Sequence, residues 1–280
     1  MRIGFHISIH GSIDLSVDRA EELGCNTFQI FTRSPRQWNS SEIAPDTAKT
    51  FIDKLKDHDI KPVFAHMPYL PNLASPRDEI YVKSVKALSL ELERCKLLSI
   101  QYLVTHLGSH LGSGKQVGFS RLIDGINQAL SRKEGYTTLL LENTAGTRNS
   151  MGSTFEDLKY IIESLAHPEM VGICFDTSHA FAAGYDLRTK DNVKSIIQKI
   201  DELIGFERLK VVHLNDSRGE FNSHIDRHEH IGLGNIGEEG FRNILESKFG
   251  NIPMIMETPK DSRRDDIGNM KKVKELAIGL

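Results

Sequence analysis

Short, continuous apolar runs alternate along the chain with longer stretches whose apolar residues recur at helical spacing. The runs begin at Arg2 (RIGFHIS), Thr27 (TFQIFT), Pro62 (PVFAHM), Tyr102 (YLVTHLG), Thr138 (TLLLEN), Val171 (VGICFDT), Leu209 (LKVVHLND) and Pro253 (PMIMETP). A strand covered on both faces reads this way, because neither face needs polar residues. Between the runs, Ser12 to Leu23 carries Ile13, Val17, Ala20 and Leu23. Ala44 to His58 carries Ala48, Phe51, Ile52 and Leu55, and Val82 to Leu98 carries Val85, Leu88, Leu92 and Cys95. These spacings follow the roughly 3.6-residue period of a helix with one buried stripe. Further helices are expected from near Phe119, Thr154, Lys190, Glu238 and Asp265, with Thr154 three residues ahead of Asp157 marking a helix start.

Eight strand–helix units predict an α/β fold: a single-domain eight-fold β/α (TIM-type) barrel over residues 1–280. Such a barrel typically needs about 250 residues. A doubly wound open sheet is the alternative, but the glycine-rich turn GxGxxG that usually follows an early strand of that fold is absent. No linker rich in Pro, Gly or Ser divides the chain.

The ends of the runs carry the chemistry. The third to the eighth end at His66, His106, Glu142, Asp176, His213 and Glu257, all in the same phase, and the first fits as well with His6. In a parallel barrel all these ends lie on the face that holds the active site. One polar residue at a strand end is ordinarily just a satisfied surface group. With 38 acidic residues and 12 histidines in the chain, chance supplies a few such ends but not six in succession. Asp176-Thr-Ser-His179 adds another imidazole, and Asp226-Arg-His228 presents two ligand types on one side if that stretch is extended. Clustered carboxylates repel unless protonated or bridged by cations. Imidazoles mixed with carboxylates suit zinc. At three ligands per open site, nine would serve three metals, and such a site points to hydrolysis of a phosphate ester.

Composition narrows the partners. Hydrophobic residues make up 39% and charged residues 26%, ordinary for a soluble globular chain. No apolar run approaches the roughly 20 residues of a membrane span, and the N-terminus does not read as a signal peptide, so a cytoplasmic protein is expected. The formal charge of −3 excludes a globally basic nucleic-acid binder. Any DNA surface must be local or charged by bound cations. Cys25, Cys95 and Cys174 form no CxxC pair and are expected as buried free thiols.

Longer segments are more specific: AHMPYLPNLASP from Ala65, LLLENTAG from Leu139, FDTSHAFAAGYD from Phe175, HLNDSRGEF and DRHEHIGLGNIG from His213 onward, and RQW at Arg36 to Trp38. With these the chain resembles the endonuclease IV family of apurinic/apyrimidinic-site DNA repair enzymes, from Met1 to the METP around Glu257. The resemblance implies a zinc-dependent phosphodiesterase with three zinc ions per chain, acting as a monomer on double-stranded DNA that contains abasic sites. It implies His66 and His106 on one zinc, Glu142 bridging to a second completed by Asp176, His213 and Glu257, and His179, Asp226 and His228 on a third. It further implies cleavage 5′ to the abasic site to leave a 3′-hydroxyl, removal of 3′-blocking groups, and catalytic roles for Glu142 and Glu257, the latter orienting the nucleophile.

Arg36 and Tyr69 match the family's DNA wedge; their plainer readings are a solvated loop charge and an aromatic packed on Pro68 and Pro71. Trp38 is expected to anchor its loop by packing. One departure stands out: the family pattern AGxGxxxG reads AGTRNSMG here, with Arg148 in place of a glycine. Glycine reaches left-handed backbone freely, so this loop is expected to rearrange, with Arg148 a candidate phosphate contact. The competing readings are a metal-dependent sugar isomerase on a related barrel and a catalytically inactive DNA-damage binder.

Overall fold

The computed structural model of the protein describes residues 1–131 and 137–278. The first half runs β1 (Ile3–Ile7), α1 (Leu15–Glu22), β2 (Phe28–Phe31), α2 (Pro45–Asp57), β3 (Val63–His66), α3 (Asp78–Leu97), β4 (Tyr102–Thr105), α4 (Lys115–Leu130) and β5 (Thr138–Glu142). The second runs α5 (Phe155–Glu163), β6 (Val171–Asp176), α6 (Thr177–Ala182), α7 (Lys190–Leu203), β7 (Leu209–His213), β8 (Asp216–Ser217), β9 (His228–Glu229), α8 (Gly237–Glu246), β10 (Met254–Met256) and α9 (Asp266–Leu276). All eight expected strands form, and they close a parallel barrel in the order β1-β10-β7-β6-β5-β4-β3-β2. The remaining pair, β8 and β9, makes a small antiparallel sheet after β7.

Local chemistry explains the boundaries. The Thr154 hydroxyl caps α5 by accepting from the Asp157 amide at 3.2 Å, the role its spacing suggests. Helix α3 starts at Asp78, four residues before the expected Val82, because Asp78 and Glu79 occupy the first turn and favour the positive end of the helix dipole. The short α6 lies inside DTSHAFA and was not expected; the Asp176 carboxylate caps it by accepting from the His179 amide at 2.7 Å.

Inside the barrel, Phe64, Val104, Leu140, Cys174, Val211 and Ile255 form one fully buried layer. Strand side chains alternate with period two. The residue two places later on each of these six chains is therefore His66, His106, Glu142, Asp176, His213 or Glu257. The apolar layer is the floor, and the polar layer stands on it. Gly4 lets β1 close against its neighbour, because a Cβ there would lie 1.7 Å from the Thr27 carbonyl oxygen.

Leu140→Ala should cost about 2–5 kcal/mol of stability by leaving a cavity in this floor. Chemical denaturation checks it; a loss below about 1 kcal/mol would mean the layer is not tightly packed.

Candidate metal centre

The polar layer converges on Glu142, which is completely buried. Its Oε2 lies 3.2 Å from His66 Nε2 and 3.1 Å from His106 Nε2. Its Oε1 lies 3.1 Å from His213 Nδ1 and 3.3 Å from His179 Nδ1. Glu257 Oε2 is 3.4 Å from the same His213 nitrogen. Asp176 Oδ2 is 3.9 Å from His213 Nδ1 and 3.6 Å from His228 Nε2. Asp226 Oδ1 lies 3.2 Å from His179 Nε2 and 3.8 Å from His228 Nε2. Two donors each about 2.1 Å from one tetrahedral ion stand roughly 3.4 Å apart, so these separations suit shared cations, apart from that of His179 Nδ1, which turns its N–H to the Asn143 carbonyl.

Four imidazoles are turned for the purpose. His66 Nδ1 is 2.7 Å from the Met67 carbonyl, and His179 Nδ1 is 3.0 Å from that of Asn143. His228 Nδ1 is 3.2 Å from the Glu257 carbonyl, and His213 Nε2 is 3.0 Å from Gln29 Oε1. Each acceptor oxygen fixes the N–H on the outer nitrogen and leaves the inner one bare, as metal-binding histidines require. His228 Nε2 is buried and has no hydrogen-bond partner among the described residues. Among the described residues, four groups bring three ligand atoms together: His66, His106 and Glu142; Asp176, His213 and Glu257; Asp176, His179 and His228; and Glu142, Cys174 and His213.

The electrostatics also call for positive charge. Burial alone would raise the Glu142 carboxyl, but His106 and His213 hold it well below the usual range. Burial likewise opposes ionised Glu257, and His213 and the hydrogen bond from His6 overcome it. Burial would lower His179 and His213, yet Asp176 and Asp226 hold the first, and Cys174, Glu257 and Glu142 the second, well above the usual imidazole range. Without metal, protons stand where cations would.

All nine expected ligands therefore meet at one end of the barrel. Asp226 is the outlying member, half-exposed on the segment before β9, and Asp176 approaches His228 more closely than Asp226 does. That segment is held by its backbone, Arg218 N donating to the Arg227 carbonyl at 2.9 Å, Asn222 N to that of Phe181 at 3.1 Å and His224 N to that of Ala182 at 3.0 Å, while the buried Asp216 carboxylate fixes the turn after β9 by accepting from the amides of Ser217, Gly232, Gly234 and Ile236. A Cβ on Gly234 would come within 2.4 Å of the Ser217 carbonyl oxygen.

A cavity of about 340 Å³ opens above the site, lined by His66, His106, His179, Asp226, His228 and Glu257, with Phe31 and Tyr69 on its wall. Tyr69 packs edge-on against Phe31 at 5.1 Å and is 62% exposed. Arg36 is exposed on the neighbouring loop and does not line the cavity. Trp38 packs partly buried against the core, as expected.

Arg148 is exposed. The left-handed positions of its loop are Gly146, Asn149 and Gly152, so the arginine takes an ordinary conformation. The loop is tied to its neighbour by His110 N donating to the Asn149 carbonyl and Met151 N to that of Gly108, both at 3.0 Å.

Of the supporting residues, His6 stands at a strand end as expected, while Gln29 and Asn215 were harder to foresee. Gln29 Nε2 donates to Glu257 Oε1 at 2.8 Å, His6 Nδ1 lies 3.2 Å from the same oxygen, and Asn215 Nδ2 donates to Asp176 Oδ2 at 2.7 Å. Gln29 is the lone polar residue inside its apolar run, the one available signal. Cys174 is a buried free thiol as expected, pushed up to about 12 by burial, but its place beneath the site was not.

Fold and site together define a β/α barrel carrying a candidate multi-cation centre, and a family model described as xylose isomerase-like TIM barrel matches residues 17–277. Within that class, the chain belongs to the endonuclease IV family. It is 54% identical over 277 residues to a protein of Methanoculleus marisnigri named probable endonuclease 4, covering 98% of each chain. A protein of the same name from Cenarchaeum symbiosum is 51% identical over 281 residues, covering 99% of this chain and all of the relative. The crystal structure of endonuclease IV from Thermus thermophilus superposes with a TM-score of 0.88 at 34% identity, covering 99% and 98% of the two chains. A D-tagatose 3-epimerase-like protein shares the fold, with a TM-score of 0.74 at 22% identity.

In chelator, His179 and His213 contribute stability that is fully present below the ordinary imidazole range and fades as pH rises through their raised values. Glu142 and Glu257 contribute above the ordinary carboxylate range and lose it as pH falls through their depressed values. The metal-free chain should therefore lose thermal stability on the alkaline side, and metal should remove that loss. Identical melting profiles against pH with and without metal would contradict this.

Proposed function

We propose that the protein is a zinc-dependent DNA repair endonuclease that hydrolyses the phosphodiester 5′ to an abasic site and leaves a 3′-hydroxyl. The same reading includes removal of 3′-blocking groups, action as a monomer, and an intracellular place beside DNA. The observation that carries it is the convergence of imidazoles with bare inner nitrogens on buried carboxylates, in a chain whose relatives are named probable endonuclease 4.

His66, His106 and Glu142 would hold one zinc; Glu142, Asp176, His213 and Glu257 a second; His179, Asp226 and His228 a third. The 3.2 Å approach of Asp226 to His179 supports the last set. Bound zinc supplies Lewis acidity and neutralises charge on the phosphate diester. The chain's residues do the rest. Glu142 spans two clusters and keeps them at fixed separation. Glu257 takes hydrogen bonds on Oε1 and presents Oε2 toward His213, which holds a carboxylate edge at the cavity floor to orient a water. The cavity wall of Phe31 and Tyr69 excludes solvent beside it. Arg36 and Tyr69 would enter the distorted duplex, where unstacking costs least at a missing base.

Two arms test the reading. A duplex with one abasic site should be cut 5′ to the lesion, giving a 3′-hydroxyl end that a polymerase extends. A ketose incubated in parallel should stay unchanged; epimerised sugar with intact DNA would favour the isomerase reading, and binding without incision the inactive binder.

Glu142→Gln should be among the most damaging substitutions, lowering incision by at least about a hundredfold, because an amide cannot replace a charge shared by two clusters. Near-normal incision by this variant would remove Glu142 from the centre.

Arg36→Ala and Tyr69→Ala should weaken discrimination between abasic and intact duplexes and leave zinc content unchanged. Unchanged affinity for both duplexes at matched salt would return Arg36 to a solvated charge and Tyr69 to a packing role.

A further inference from the structure

At the end of β2, Thr32 and Arg33 meet Glu91 and Arg94 of α3, and all four residues are buried. Arg33 Nε donates to Glu91 Oε1, and Thr32 Oγ1 donates to Glu91 Oε2 at 2.5 Å. Arg94 Nε donates to Thr32 Oγ1 at 2.8 Å. Both guanidinium groups then reach along the loop that joins β2 to α2. Arg33 Nη1 donates to the carbonyls of Gln37 and Trp38, each at 2.9 Å, and Arg94 Nη1 donates to that of Ser41 at 2.9 Å. Tyr69 N donates to the Pro35 carbonyl at 3.1 Å, which couples the other side of the rim to the same loop.

The loop has no ladder of its own, since neither helix nor strand occurs between Phe31 and Pro45. Its carbonyls are held by two guanidinium groups, Arg33 bonded directly to the Glu91 carboxylate and Arg94 joined to it through the Thr32 hydroxyl. Compared with apolar side chains of equal volume, a buried ion cluster adds little stability. What such a cluster supplies here is one fixed arrangement. Two guanidinium groups against one carboxylate also leave positive charge beneath a loop that would face a polyanion.

We infer that Glu91 is a positioning residue for DNA recognition. Through Arg33 and Arg94 it fixes the loop over residues 35–41, so that Arg36 and Tyr69 are already arranged when DNA arrives. This rests on the reading of those two residues as the wedge. Preorganised groups avoid the cost of ordering on binding. Loosening them should raise KM and leave the chemical step alone.

Trp38 is the chain's only tryptophan, and its own carbonyl is in the clamp, so its fluorescence reports the loop without DNA or activity. Glu91→Gln should increase acrylamide quenching of Trp38 and raise KM for an abasic duplex about tenfold, with kcat and zinc content close to the parent's. Hydrolysis of bis(p-nitrophenyl) phosphate, too small to need the wedge, should be unchanged. Parental quenching and parental KM in folded Glu91→Gln would overturn the inference, as would an equal loss on both substrates. If that variant does not fold, Arg33→Met/Glu91→Leu/Arg94→Met, which replaces the cluster at similar volume, is read by the same criteria. A parent that cuts no abasic duplex would sink the proposed function, while the Trp38 measurement would still decide whether Glu91 holds the loop.

Discussion

Four imidazole nitrogens lie within 3.3 Å of the two oxygens of one buried carboxylate, Glu142. In a water-excluded place that arrangement is stable only with positive charge shared among them, because a buried ionised carboxylate is costly unless paired. The rest of the architecture serves that requirement. The barrel brings six strand ends to one plane, the apolar layer two residues below excludes water from beneath, and carbonyl oxygens outside the ring of ligands fix the direction of four of the histidines. Without cations, protons balance the charge, which ties the stability of this end of the barrel to pH.

The cluster and the rim are supported by different parts of the chain. Strand ends supply His66, Glu142, Asp176 and His213, and the next residues after β4 and β10 supply His106 and Glu257. Such positions are rigid, since each is held by a neighbouring strand or by a bond such as Asn215 Oδ1 accepting from Glu257 N at 2.8 Å. His179 is set by the first turn of α6. Asp226 lies on an irregular segment and His228 opens the short β9, and backbone bonds such as His224 N donating to the Ala182 carbonyl at 3.0 Å hold the approach to them. The rim carrying Arg36 and Tyr69 is held by the Glu91 cluster. The rim thus depends on a buried carboxylate that is not itself at the chemistry.

Most of this was legible in the sequence because two periodicities coincide. A strand buried on both faces gives a continuous apolar run, and a side-chain period of two places the ligand on the same face as the apolar residue before last. Leu140 and Glu142 show it directly, as do Phe64 and His66. The short α6 was not legible, since six residues cannot display a helical stripe. Gln29, Asn143 and Asn215 were not legible either: single amides carry no spacing, and their role depends on contacts across more than thirty residues, as with Asn143 Nδ2 donating to the Asp176 carbonyl at 3.1 Å. The loop places its left-handed turns at Gly146, Asn149 and Gly152, so Arg148 takes an ordinary backbone conformation.

The most direct measurement is a zinc titration of the stripped protein, with bound metal and incision of a single-abasic-site duplex followed in the same samples. The account predicts no incision without metal, a rise with loading, and a plateau at about three zinc ions per chain. Full incision by protein that holds one ion or none would contradict it.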